Sequence, residues 1–226
     1  TLRSSGLAFS QPLTLAVRFH SGKKHMRPKY SFGLDGPSAF SRPAADVQGE
    51  ILEPFFDSHE WEYARDYFTE GPAMYVNRKP TAIGGLEVFG IIVGFIGTCF
   101  AKKIFDEVYE RTLKRPIGAF LDAFFQKPEV PAGKVVEYRD VIRLEDIDLV
   151  VVVRTLVTKE STSDVQATVM HGHRVAHAFI ESHGKKAPVH CHTIKGGQIP
   201  SEPELFESLE QIKQKDRADA KPRWGQ

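Results

Sequence analysis

The chain has 226 residues and 25.4 kDa, with 30 Lys and Arg against 29 Asp and Glu, 41% hydrophobic residues and a mean hydropathy of -0.29. That size suits one domain with tails or an anchor; the near-neutral charge gives no global reason for nucleic-acid binding, and the hydropathy excludes a multi-span membrane protein. Two cysteines, Cys99 and Cys191, exclude a disulfide scaffold and any four-thiolate zinc or iron–sulfur site.

Residues 1–34 contain no Asp or Glu, while Arg3, Arg18, Lys23, Lys24, Arg27 and Lys29 are basic and serines are interspersed. This is the composition of an organellar presequence, which an electric potential draws across a membrane, and it lacks the apolar core of a secretory signal. Residues 35–53, rich in Gly, Pro, Ser and Ala, read as an extended linker. Residues 54–80 hold an aromatic and acidic helix and its connection, with Phe55, Phe56, Trp61, Tyr63, Tyr67 and Phe68 among acids. So many aromatics point either to a partner or membrane surface or to packing on the chain's own domain.

Residues 88–101, VFGIIVGFIGTCFA, carry no charge. As a helix they extend only about 21 Å against about 30 Å of hydrocarbon, so the span widens to residues 81–105. Lys102 and Lys103 then snorkel at one interface, and Arg78 and Lys79 flank the other. Gly90, Gly94, Gly97 and Ala101 make a small-residue stripe through which another helix packs closely. The reading is one transmembrane helix; its competitor is a buried hairpin or core helix.

Residues 106–200 read as a small α+β domain. A helical continuation ends at Pro116, and Ile117, Phe120, Leu121, Phe124 and Phe125 form the face of an amphipathic helix. Strands follow at 134–144 and 149–157, the latter a Val run broken by Arg154, and 165–181 reads as two strands joined near Gly172. In residues 201–226, Ser201 and Glu204 make a capping box before a helix bearing Leu205, Leu209 and Ile212, and a charged tail starts at Lys213. The expected fold is therefore α+β: a single transmembrane helix followed by a small domain with an antiparallel β meander and flanking helices.

Six of the nine histidines fall between His171 and His192. On one strand face, His171 and His173 could chelate a metal together with His177 and Cys191. A turn at Gly172 breaks that face, and no HExxH or paired CxxC is present, so no metal and no cofactor are expected. His190 and His192 share a face away from Cys191, which speaks against a Cys–His nucleophile. P-loop, GxGxxG and GxSxG templates are absent, and no catalytic residue is assigned.

A basic arm, an aromatic acidic helix, one glycine-striped span and a modest α+β domain together resemble the accessory subunits that mitochondrial ATP synthases and respiratory complexes acquire in particular lineages. The resemblance implies a non-catalytic subunit of the mitochondrial inner membrane, partnered by other subunits of a large complex and by membrane lipids, without nucleic acid. From Gly90 onward the order of elements is also similar to a small presequence-translocase subunit and to cytochrome-oxidase assembly factors, which implies an assembly or import factor. From the enzyme class, the competing reading is a membrane-anchored metal-dependent enzyme using His171, His173 and His177.

Overall fold

The computed structural model describes residues 29–35, 38–58, 62–63, 76–77, 81–83, 86–97, 114–130 and 135–220. In chain order these form β1 (Lys29–Asp35), α1 (Ser38–Val47), a π turn (Gln48–Leu52), α2 (Glu53–Ser58), β2 (Glu62–Tyr63), β3 (Val76–Asn77), β4 (Thr81–Ile83) and β5 (Leu86–Gly97). Then come α3 (Lys114–Gln126), β6 (Val136–Leu144), β7 (Leu149–Val157), a 3-10 turn (Lys159–Ser161), α4 (Thr162–His183), β8 (Val189–Ile194), β9 (Glu204–Phe206) and α5 (Leu209–Ala220).

A mixed sheet runs β2-β1-β5-β6-β7-β8-β9, with β3 paired to β1 and β4 to β5. The β5–β6 and β7–β8 pairs are parallel, so each needs a crossover, and these carry α3 and α4. The β6–β7 pair is an antiparallel hairpin whose turn places Asp148 at φ 48°, a left-handed conformation that Asp tolerates. Helices α3 and α4 pack together on one face, with α1 and the π turn against α3. Helix α5 covers the other face, where Ile212 meets Val141, Val152, Val189 and Cys191.

The uncharged run is the largest correction. It lies in a twelve-residue strand, β5, hydrogen-bonded to β1 on one side and β6 on the other. No helix among the described residues is long and apolar enough to cross a membrane. The expected transmembrane helix over 81–105 is therefore replaced at 81–83 and 86–97 by the antiparallel strands β4 and β5, and residues 98–105 lie outside the described residues. A central strand covered on both faces is apolar at nearly every position, and periodicity alone does not separate such a run from a short helix. The helix-packing stripe disappears with the helix. In a strand of period two, Gly90 and Gly94 share one face and Gly97 takes the other; in register Gly90 lies beside Glu137 and Gly94 beside Val141. Ala101, Lys102, Lys103, Arg78 and Lys79 lie outside the described residues.

The expected antiparallel meander is also corrected. Its first two strands are the β6–β7 hairpin, but the pair expected over 165–181 is helix α4. Val165, Val169, Gly172, His173, Ala176 and Ile180 are all buried, at intervals of one, three and four that a helix places on one face. Gly172 is not a turn; it lets the helix backbone approach the sheet. A Cβ there would stand 2.5 Å from Val153 Cγ1 and 3.1 Å from Ile194 Cδ1.

Gly172→Ala sets two effects against each other. Ala gains about 1 kcal/mol of helix propensity, while overpacking costs about 1–3 kcal/mol. Val153 is β-branched and stiff in χ1, so it gives way poorly. A net loss of about 1–2 kcal/mol is expected in urea unfolding; a midpoint that stays or rises would show that α4 can lift off the sheet freely.

Elsewhere the aromatic residues decide the packing. Helix α3 buries Ile117, Phe120, Leu121, Phe124 and Phe125 as its spacing predicts, and Phe32 of β1 meets Phe120 edge-on at 5.2 Å. Tyr30 stacks on Phe56 at 3.9 Å, so this part of the aromatic segment serves the chain's own core. The expected linker is instead β1's end, α1 and the π turn. Trp61, Tyr67 and Phe68 lie outside the described residues. Near the C-terminus, Glu204–Phe206 pairs with β8 rather than opening a helix, and α5 continues through Lys213 to Ala220 where a tail was expected.

Candidate functional site

Charged residues alternate along strands that are buried on both sides, which sends them to opposite faces of the sheet. On the α5 face, β6 supplies Glu137 and Arg139, β7 supplies Arg154, β8 supplies Cys191 and Thr193, and α5 supplies Asp216. Arg139 Nη2 donates to Glu137 Oε1 at 2.8 Å and to Asp216 Oδ2 at 3.4 Å. Arg154 Nη1 donates to Asp216 Oδ1 and Oδ2 at 2.8 and 2.7 Å and lies 3.5 Å from Glu137 Oε1, while Nε donates to Thr193 Oγ1 at 2.8 Å. The four charges sum to zero, and each buried ion has the counterions that make its burial tolerable.

Electrostatics follow from this arrangement. Burial is the largest influence on Arg139 and opposes its charge, but the charge and hydrogen bond of Glu137, together with Cys191, keep the guanidinium above its ordinary value. For Arg154 burial is likewise the largest opposing influence, and Cys191, Glu137 and Asp216 together raise the pKa in spite of it. Burial pushes the Cys191 thiol up, more than Arg154 and Arg139 pull it down, which keeps it a protonated, weakly nucleophilic group.

Between β7, β8 and α5 a cleft of about 400 Å³ opens, with Glu137, Arg154, Leu156, Thr193, Lys215 and Asp216 in its walls. A neighbouring hollow of about 330 Å³ shares Thr193 and Lys195 with it and reaches Cys191.

The α4 face carries a second buried polar group. Tyr138 donates to Asp140 Oδ1 at 2.5 Å, and His173 Nε2 donates to Asp140 Oδ2 at 2.9 Å. His190 Nε2 accepts the backbone N–H of Lys186 at 3.0 Å, which leaves the proton of its neutral form on Nδ1. His192 is 1% exposed, and among the described residues neither ring nitrogen has a hydrogen-bond partner. Burial, then His190 and His173, lower its pKa to about 4.

The metal-ligand candidates do not converge. His173 is buried on Asp140; His171, two residues away, is about 200° around the helix and exposed. His177 lies 3.5 Å from Glu181 on its own helix, and Cys191 is on the opposite face of the sheet. Among the described residues no group of three or more His, Cys, Asp or Glu is placed to hold a metal. His190 and His192 do share a face away from Cys191, as the strand alternation implied. The residues that sequence reading missed are Glu137, Arg139, Asp140 and Asp216. Their signal was Glu137-Tyr138-Arg139-Asp140 inside a strand too apolar at its ends to be an edge, and Arg154 inside the Val run.

Comparison with protein families, curated proteins and solved structures finds no match to this chain.

Proposed function

We propose that the chain is a non-catalytic accessory subunit of a large mitochondrial complex of oxidative phosphorylation, ATP synthase or respiratory chain, held there by protein contacts. The observation that carries the non-catalytic part is the neutral quartet of Glu137, Arg139, Arg154 and Asp216. These groups use their charge to hold α5 on the sheet. A general acid or base would instead need a proton free to exchange with substrate. The raised thiol pKa of Cys191 and the burial of His173 on Asp140 support the same reading. The mitochondrial part rests on the acid-free, Arg- and Ser-containing residues 1–34. With residues 88–97 committed to β5, attachment falls to surface contacts and not to that run.

Tagged full chain, expressed in its own cells, tests the proposal on a native gel of mitochondrial membranes. Co-migration with an ATP synthase or respiratory-complex band is expected. Migration only near the monomer mass, or absence from mitochondria, would overturn it.

A further inference from the structure

Arg154 has one donor nitrogen that no described residue uses. Its side chain is only 7% exposed, Nε is committed to Thr193, and Nη1 is committed to Asp216. Among the described residues Nη2 meets no acceptor, and Arg154 forms part of the cleft wall between β7, β8 and α5. Nη2 is not sealed from solvent, and a guanidinium nitrogen in a mostly enclosed wall gains from an acceptor brought by a ligand, because the hydrogen bond is charge-assisted.

The geometry points to a binding site for a small monocarboxylate with a short apolar tail, its carboxylate on Arg154 Nη2 and its tail against Leu156. The cleft volume of about 400 Å³ falls in the range of small-molecule sites. Leu156, 40% exposed, offers apolar surface that a tail would remove from water. Two observations select a monoanion over a phosphate. Nη1 faces Asp216, so the paired-nitrogen fork that grips phosphate is already occupied. Glu137, Asp216 and Asp219 border the cleft, and their carboxylates repel a dianion about twice as strongly as a monoanion. Lys195, exposed at the rim, adds a weak, salt-sensitive attraction.

Backbone amide NMR of the full chain, titrated with hexanoate, tests this site. Saturable shifts are expected at Leu156, Thr193, Ile194 and Lys195, and hexanamide, the same shape without the charge, should bind about tenfold more weakly. Arg154→Gln would leave Glu137 and Asp216 under-compensated and unfold the chain, so the decisive variants are on exposed side chains. Leu156→Asp should weaken hexanoate about tenfold and Lys195→Glu a few-fold, while Leu205→Asp, on exposed β9, leaves binding unchanged. The proposal is overturned by the absence of saturable shifts, by equal binding of hexanamide, by shifts centred elsewhere, or by a Leu156→Asp chain that binds as the original does.

Discussion

Asp216→Ala is expected to destabilise the fold by about 3–5 kcal/mol, because it removes the carboxylate that Arg154 and Arg139 share and leaves buried positive charge uncompensated. The loss should concentrate in α5, which is otherwise held on this face by Ile212 and Leu209 in the small cluster with Val141, Val152 and Cys191 and by the exposed Lys215–Glu204 pair. Removing both partners separates the charge effect from lost packing. An Arg154→Met, Asp216→Leu double variant takes out one cation and one anion, so the pair Glu137 and Arg139 remains balanced. Much of the single variant's loss should return in the double, as expected when the penalty is an unpaired ion and not the missing contact. Urea unfolding of the three chains measures this cycle. A single variant within about 1 kcal/mol of the original would show that the quartet is solvated in solution.

Stability is expected to fall between neutral and mildly acid pH because of His192. Its pKa is lowered to about 4 in the fold, by burial first and then by His190 and His173, against about 6.5 when unfolded. Between those values the unfolded chain holds more protons than the folded one, so stability rises with pH across that window. The contribution is complete above about pH 6.5 and is lost as the pH falls toward about 4, at most about 3 kcal/mol. His190, lowered by burial and by Lys185, acts in the same direction. His192→Leu should flatten the difference between urea midpoints at about pH 7.5 and about pH 5, since an apolar side chain loses no hydrogen bond there. If the variant keeps the whole pH dependence, the sensitivity belongs to other groups.

Much of the local structure was legible because it depends on neighbours in sequence. The face of α3, from Ile117 to Phe125, follows from a period near 3.6, and the β6–β7 hairpin follows from two runs of β-formers around a short polar turn. The opposite facing of Cys191 and the histidines beside it follows from strand alternation alone. Where local pattern and coverage diverged, the reading failed. β5 looked like a membrane helix because being covered on both faces by the fold and being surrounded by lipid select the same residues. α4 looked like two strands because Val165, Val169 and Val175 favour strands locally, and its helical burial face exists only once β7 and β8 lie beneath it.

The polar sites were beyond any local pattern. Asp216 reaches Arg154 across 62 residues and Arg139 across 77, and His173 reaches Asp140 across 33. The sequence by itself determined the composition that excludes disulfide and multi-span classes, the amphipathic helix α3 and the alternation of side chains on each strand. Only the tertiary structure decided that residues 88–97 are a sheet's interior, that the histidines do not converge, and that four distant charges meet beneath α5. Charges of opposite sign attract at any sequence separation, and which of them meet is settled by the strand order and crossovers that bring their backbones together.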